Sequence, residues 1–198
     1  SISLRLAGIF NVYNALLASG MAICAGVGPE AIRRGLENVR AVPGRIELLD
    51  TGTPYRVILD YAHSPDSLEN ILKAVRQTTK GRMIALFGCG GNRSKLRRFE
   101  MGEVSGRLAE LSIITSDNPR DEEPMAIIED IVTGISRTDG KYVTIPDRKD
   151  AIRYAIHNGE PGDIVVLAGK GHEDYQEIKG HKYPMDERVL IREILEEA

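Results

Sequence analysis

The feature of this sequence that most constrains its fold is an alternation between short, continuous apolar runs and amphipathic stretches, which begins near Tyr55. The runs are short and are not interrupted by polar residues at every second position, so each predicts a β-strand that is covered on both faces. We expect such strands at residues 57–59, 83–87, 111–115, 142–145 and 164–168.

The stretches between these runs predict helices. Leu68, Ile71, Leu72 and Val75 are spaced as one face of a helix. Two similar stripes are formed by Met125, Ile128, Val132 and Ile135, and by Ala151, Ile152, Ala155 and Ile156. A last helix is expected over about residues 186–196. Strands that alternate with helices favour right-handed crossovers and therefore an α/β fold with an open, mostly parallel, Rossmann-like sheet and flanking helices.

Two further strand elements are expected beside this pattern. Residues 46–49 predict a strand at the sheet edge, and residues 176–183 predict a hairpin that turns at Lys179-Gly180.

The first 42 residues have a different pattern. They predict two helices, over about residues 9–25 and 29–38, and no strand. Pro43-Gly44 then interrupts the pattern, so we place a domain boundary there and assign residues 43–198 to the sheet domain. Because the sequence begins at Ser1 inside what soon looks like an ongoing pattern, we expect the chain to be a fragment.

Charge and composition exclude several classes of partner. The chain has 26 basic and 29 acidic residues and a net charge of −3, which is too balanced for a nucleic-acid or membrane-surface protein. No apolar run approaches the ~20 residues of a membrane span. The two cysteines, Cys24 and Cys89, have neither metal-ligand spacing nor the pattern of a disulfide framework. Such a low cysteine content is typical of proteins in a reducing cytosol. We therefore expect a cytoplasmic protein, monomeric, that binds small molecules.

Ligands of an open parallel sheet bind outside the carboxyl ends of its strands. The segment that follows the second strand contains Gly88, Gly90 and Gly91, and then the basic residues Arg93, Lys95, Arg97 and Arg98. Exposed backbone N–H groups at a helix start, followed by basic side chains, suit a phosphate or a carboxylate. The alternative is a flexible turn followed by a solvated basic helix face.

The segment after the third strand is more informative. Asp117 offers a carboxylate to an ammonium, Asn118 an amide, and Arg120 a planar fork for a carboxylate, while Pro119 stiffens the turn. Together they predict recognition of the zwitterionic end of an amino acid. The alternative is an ordinary turn and helix cap.

Other polar residues at strand ends leave their roles open. Asp60 could contact a ribose hydroxyl or cap the helix that starts near Ser64. His63, His172 and Glu173 raise the question of metal or acid–base chemistry, but they lack metal-ligand spacing, and we predict no metal site.

Several ordered motifs resemble the Mur ligase family, the ATP-dependent amino-acid ligases of peptidoglycan precursor synthesis. They are residues 10–16, 44–47, 60–65, 88–98, 147–152, 168–176 and 186–188. The resemblance implies three domains in the full ligase, of which this chain would contain the helical tail of the central ATP-binding domain (1–42) and the C-terminal amino-acid-binding domain (43–198).

Within the family, the Asp117-Asn118-Pro119-Arg120 motif resembles that of members selecting meso-2,6-diaminopimelate over L-lysine. The resemblance implies that the amino acid is bound by Arg93, Asp117, Asn118, Pro119, Arg120, Gly169 and Glu173, and that the ATP side is formed by Asn11, Asn14, Arg45, Asp60 and His63. Lysine has no distal carboxylate, so we expect it to leave Arg120 desolvated and unpaired. Asn92 and Ser94 stand where relatives often have aspartate, a departure in the Arg93 loop.

The implied reaction joins diaminopimelate to UDP-N-acetylmuramoyl-L-Ala-D-Glu through an acyl phosphate, with ATP and Mg²⁺ held mostly by the absent central domain. We expect no identifiable catalytic residue in this chain, and no activity from it alone. The alternatives are the lysine-adding ligase of the same family and a non-catalytic amino-acid-binding module. An NAD-dependent dehydrogenase is disfavoured because Arg93 stands at the third glycine position of the dinucleotide fingerprint.

Overall fold

The computed structural model describes residues 1–6, 8–39 and 41–197. The helices are α1 (Ile9–Cys24), α2 (Pro29–Asn38), α3 (Pro65–Arg76), α4 (Lys95–Leu108), α5 (Pro124–Ile135), α6 (Arg148–His157) and α7 (Glu187–Glu196). The strands are β1 (Glu47–Leu49), β2 (Arg56–Asp60), β3 (Met83–Phe87), β4 (Leu111–Ile114), β5 (Tyr142–Thr144), β6 (Ile164–Ala168), β7 (Tyr175–Ile178) and β8 (His181–Pro184).

Six of the strands form one sheet in the order β1-β2-β6-β3-β4-β5. Strand β1 is antiparallel to β2, and the other pairs are parallel. Strands β7 and β8 form the expected separate hairpin. The predicted α/β class and mostly parallel sheet are therefore confirmed, and the carboxyl ends of β2, β3, β4 and β6 meet at one edge.

Helices cover both faces of the sheet because the central strands are apolar on both sides. Every residue of β3 and β6 is buried, as the continuous runs predicted. One face packs against apolar residues of α3, α4 and α5, and the other against those of α6 and α7. All four stripe residues of α3 and all four of α6 are buried, so these two helix faces are confirmed.

Two sequence expectations are wrong in detail. Strand β5 is an edge strand with exposed Tyr142 and Thr144, because β4 is its only strand partner among the described residues. In α5 the buried stripe includes Ile127 and Ile131 and leaves Met125 exposed, because the helix turns these two isoleucines toward the sheet and α4.

Helix α1 is poorly covered by the described part of the chain. None of its residues is buried, and the large side chains of Ile9, Tyr13, Leu16, Leu17 and Met21 are exposed. Such an apolar helix face normally requires a partner surface.

A buried ion pair fixes the edge at which the loops meet. Arg148, at the start of α6, donates from Nε to Glu187 Oε1 of α7 at 2.8 Å, and both side chains are at most 1% exposed. The other guanidinium nitrogens donate to Ser116 O after β4 at 3.2 Å and to Ala168 O at the end of β6 at 3.0 Å. One side chain thus holds two strand ends and α7 together.

Removing the carboxylate of this pair tests its structural importance. We expect Glu187→Ala to lower the free energy of unfolding by about 3–5 kcal/mol, because it leaves the Arg148 charge buried without its counter-ion. Urea denaturation followed by circular dichroism measures this loss. Glu193→Ala removes an exposed carboxylate from the same helix and should change stability by less than about 0.5 kcal/mol; equal effects of the two variants would contradict the assignment.

Candidate active site

A cavity of about 280 Å³ lies at the carboxyl edge of the sheet. Its wall comes from the loops after β2, β3, β4 and β6 and from the first turn of α4, and consists of Tyr61, His63, Gly90, Arg93, Arg97, Asp117, Asn118, Arg120, Gly169 and Glu173. Within the described chain, the structure therefore brings together all the residues predicted to bind the amino acid except Pro119.

The buried ammonium group of Lys170 does not line the cavity, but it contacts three residues that do: Asp117, Asn118 and Glu173. Its side chain is 0% exposed, and Nζ donates to Asn118 Oδ1 at 2.8 Å and to Glu173 Oε2 at 2.9 Å. Asp117 Oδ1 lies 3.5 Å from the same nitrogen. A buried ammonium is tolerated when it is paired and hydrogen-bonded. Through these bonds Lys170 connects the loop after β6 to the loop after β4.

Glu173 is ionised by its surroundings despite partial burial. Burial alone raises its pKa, but hydrogen bonds from Lys170 and Asn118 outweigh that effect, so its pKa lies below the ordinary glutamate value. Tyr61 donates its hydroxyl to Glu173 Oε1 at 3.2 Å, and burial together with the Glu173 charge raises the pKa of that phenol. A carboxylate of lowered pKa is suited to accepting hydrogen bonds from an ammonium and is a weak base at neutral pH.

One carboxylate oxygen of Asp117 is fully buried beside Lys170. Asp117 Oδ1 accepts no hydrogen bond from the described residues, although it lies close to Lys170 Nζ. Gly169 has φ of 112°, and a Cβ at this position would lie 3.2 Å from Asp117 Oδ2. The glycine therefore permits both a left-handed backbone and the close approach of the carboxylate.

Arg120 is held by partners on two sides. Its Nε donates to Glu177 Oε2 at 3.1 Å and its Nη1 to Gly91 O at 2.9 Å. The expectation that lysine would leave Arg120 unpaired is wrong, because Glu177 supplies a carboxylate that does not depend on a substrate. The turn is also no helix cap, since α5 begins several residues later with Glu123 as its N-cap.

The glycine-rich loop packs directly on the Asp117 loop. Gly91 N donates to Asn118 O at 2.9 Å, and a Cβ on Gly91 would lie 1.9 Å from Pro119 O. The basic run that follows is not uniformly solvated: Arg98 is buried and pairs with Glu122 at 2.7 Å and Asp130 at 2.9 Å, whereas Arg93 is exposed and lines the cavity.

A second cavity of about 420 Å³ contains four of the five residues predicted for the ATP side. Asn11 and Asn14 from α1 share it with Arg45 and Asp60. His63 lies instead on the wall of the first cavity, because its ring nitrogen Nδ1 bonds to Tyr61 O at 2.8 Å.

Asp60 is engaged by the backbone. Its oxygens accept from Ile46 N and Ala62 N, both at 2.8 Å, and burial raises its pKa. It does not cap α3, because Ser64 performs that role through its own side chain. The carboxylate therefore fixes the chain around Arg45, whose guanidinium lies 4.8 Å from the centre of the Tyr61 ring.

Among the described residues, no group of three or more His, Cys, Asp or Glu side chains is arranged to hold a metal ion. In the same part of the chain, no helix combines the length and apolar character needed to cross a membrane.

Sequence reasoning did not single out Tyr61, which lines the cavity, or Lys170 and Glu177, which bond to residues that line it. Tyr61 and Lys170 both lie within strand-end segments, which is the signal that marked their neighbours. Glu177 lies in the hairpin, and its contact with Arg120 depends on tertiary packing that no local pattern reveals.

The fold and this cavity define an α/β domain with a pocket of mixed charge at the carboxyl edge of its parallel sheet. Residues 44–171 match the profile of the Mur ligase, glutamate ligase domain. This match spans more than half of the chain, which therefore belongs to the Mur ligase family.

Individual relatives agree with this assignment. A UDP-N-acetylmuramoyl-L-alanyl-D-glutamate–2,6-diaminopimelate ligase from Syntrophomonas wolfei is 46% identical over 195 residues, covering 98% of this chain and 40% of the relative. A ligase of the same name from Caldanaerobacter subterraneus is 47% identical, with 100% and 41% covered. A solved structure of a ligase with that name has a TM-score of 0.76 and 36% identity, with 99% and 40% covered. The chain thus spans about 40% of the length of these relatives.

The lowered pKa of Glu173 predicts a pH-dependent contribution to stability. Because the folded state binds the proton less tightly than the unfolded chain, the stabilisation is fully present above about pH 5 and is lost as the pH falls through the folded-state pKa. We expect the free energy of unfolding of the wild type to exceed that of Glu173→Gln by about 1.5–3 kcal/mol at pH 7. This difference should shrink toward pH 3.

Urea denaturation at several pH values measures this difference, with Glu196→Gln as the control for loss of an exposed carboxylate. A difference between wild type and Glu173→Gln that is constant from pH 7 to pH 3 would contradict the ion pair with Lys170.

Proposed function

We propose that this chain is the amino-acid-binding part of an ATP-dependent ligase that adds meso-2,6-diaminopimelate to UDP-N-acetylmuramoyl-L-Ala-D-Glu. The observation that carries the proposal is the first cavity, whose wall sets the carboxylates of Asp117 and Glu173 beside three arginines, Arg93, Arg97 and Arg120. Diaminopimelate has two ammonium and two carboxylate groups, which match this mixed wall. The names of the relatives support the same substrate.

The distal, non-reacting end of the amino acid is the part that this wall recognises. Its ammonium would contact the carboxylates of Glu173 and Asp117, and its carboxylate would contact Arg120 and Arg93. Asn118 acts mainly through the network, because its amide already binds Lys170 and Glu173. Pro119 contributes through the backbone, since it packs on Gly91.

Discrimination against lysine rests on an interaction with Arg120 that only diaminopimelate can make. Arg120 keeps Glu177 and Gly91 O in the absence of a substrate, so lysine creates no unpaired guanidinium. Diaminopimelate is preferred because its distal carboxylate adds charge-assisted hydrogen bonds that lysine cannot make.

The second cavity is the proposed nucleotide side. Arg45, Asn11 and Asn14 supply a cation and amides there, which fit a nucleotide, and Asp60 fixes the Arg45 segment through backbone bonds. ATP would supply the phosphoryl group that activates the acceptor carboxylate. The described residues offer no cluster that fits Mg²⁺, so we assign no metal ligand to them.

The division at residue 42 is part of the proposal. The family match begins at Gly44, which supports a boundary at Pro43-Gly44. The exposed apolar residues of α1 fit a helix that packs on the remainder of a central ATP-binding domain. A cytoplasmic location and a monomeric state remain predictions from the sequence.

In this mechanism the chain's own residues position the amino acid. Glu173 remains ionised at neutral pH and holds the distal ammonium. The near amine is then left free to attack the activated carboxylate, and fixing the nucleophile in this way is the main contribution of the domain.

Replacing Arg120 tests the amino-acid assignment. We expect Arg120→Met to weaken the binding of meso-diaminopimelate to this chain about tenfold or more, because charge-assisted hydrogen bonds are lost, and to change L-lysine binding little. Titration followed by nuclear magnetic resonance measures both affinities. Arg137→Met removes an exposed arginine that pairs with Glu103, and should leave both unchanged; equal losses for the two amino acids would refute the role of Arg120.

The chain alone should form no ligation product. Incubation with ATP, Mg²⁺, diaminopimelate and the UDP-linked acceptor, followed by mass spectrometry, should show no adduct, because a central ATP-binding domain is missing. Product formed by this chain alone would overturn the division of roles between the domains.

A further inference from the structure

The β7–β8 hairpin is attached to the Asp117 loop by backbone and side-chain bonds. Arg120 N donates to Glu177 O at 3.1 Å, and Lys179 N donates to Arg120 O at 2.9 Å. Glu177 N also donates to Asn118 Oδ1 at 2.8 Å. The backbone of Arg120, which has φ of 51°, is therefore fixed by the hairpin strand that carries Glu177.

The Glu177 carboxylate contacts Arg120 from outside the cavity. Arg120 belongs to the described wall of the cavity, and Glu177 does not. Glu177 uses the Nε donor of Arg120, and Gly91 O uses one donor of Nη1. A guanidinium has five N–H donors, so the edge formed by Nη1 and Nη2 keeps donors for a second carboxylate.

Glu177 also reduces the positive charge that a ligand meets. The side chains of Arg120 and Glu177 are 26% and 29% exposed, so their interaction is only partly screened by solvent. A distal carboxylate would share Arg120 with Glu177, whereas a ligand without that carboxylate would leave the Arg120–Glu177 pair undisturbed.

We propose that Glu177 is a specificity-determining residue, which holds Arg120 in position and competes with the distal carboxylate of the amino acid for its charge. This inference rests on the proposed function, because it assumes that the cavity binds diaminopimelate. Glu177 thereby lowers the preference for diaminopimelate over lysine below the value that Arg120 alone would give.

The test uses this chain with meso-diaminopimelate and L-lysine as probes. Glu177→Gln keeps an oxygen that accepts from Arg120 Nε and removes the competing charge. We expect the ratio of the two dissociation constants, lysine over diaminopimelate, to rise about fivefold. The gain should shrink as salt is added, because it is electrostatic.

Glu103→Gln is the matched control, since Glu103 pairs with Arg107 and Arg137 outside the cavity. It should leave the ratio unchanged. Thermal unfolding of each variant confirms that the fold is retained, and a purely structural role of Glu177 would shift the unfolding midpoint without raising the ratio.

The possible outcomes separate the two proposals. A wild-type preference for diaminopimelate that rises in Glu177→Gln supports both. The same wild-type preference with an unchanged or lower ratio in Glu177→Gln overturns the role of Glu177 and leaves the proposed function standing. A wild-type chain that binds neither amino acid, or prefers lysine, overturns the proposed function and this inference with it.

Discussion

The buried ammonium of Lys170 is the interaction on which the candidate site depends. It lies within hydrogen-bond distance of Asn118 and Glu173 and close to Asp117, so one cation organises groups from two loops that are more than 50 residues apart in sequence. Desolvating a cation is costly, and here the cost is offset by several short polar contacts. Without Lys170, the two carboxylates would repel each other beside the same cavity, and Glu173 would lose the main partner that keeps its pKa low.

The sheet supplies the frame for this cation. Strands β4 and β6 lie on either side of β3 and end at the same edge of the sheet, and Arg148 donates to a carbonyl at each of these two ends. The amino-acid cavity and the proposed nucleotide cavity then meet at the end of β2, where Asp60, the last residue of the strand, lines the nucleotide cavity and Tyr61 lines the amino-acid cavity. The cation–π contact between Arg45 and Tyr61, and the hydrogen bond from Tyr61 to Glu173, connect the two cavities through a single side chain.

Much of the fold could be predicted from the sequence because its signals are local. Strands β3 and β6 and helix α2 have the predicted bounds, since continuous apolar runs and a proline at the helix start mark them clearly. The edge at which the site lies also followed from the strand ends. Contacts could not be predicted where a partner is distant in sequence: the burial of Arg98 depends on Glu122 and Asp130, and the engagement of Arg120 depends on Glu177 in the hairpin. The Glu177 contact changes how Arg120 can select a ligand. Because Arg120 already has a carboxylate partner, a ligand is favoured by the hydrogen bonds that it adds, and a ligand without a carboxylate leaves no unpaired guanidinium.

The most direct test of this account is a crystal structure of the chain with meso-diaminopimelate. The account predicts the distal ammonium within hydrogen-bond distance of the Glu173 and Asp117 carboxylates, and the distal carboxylate on the Nη edge of Arg120, with Lys170 unmoved. A ligand bound elsewhere, or bound in this cavity with its distal carboxylate directed away from Arg120 into solvent, would contradict it.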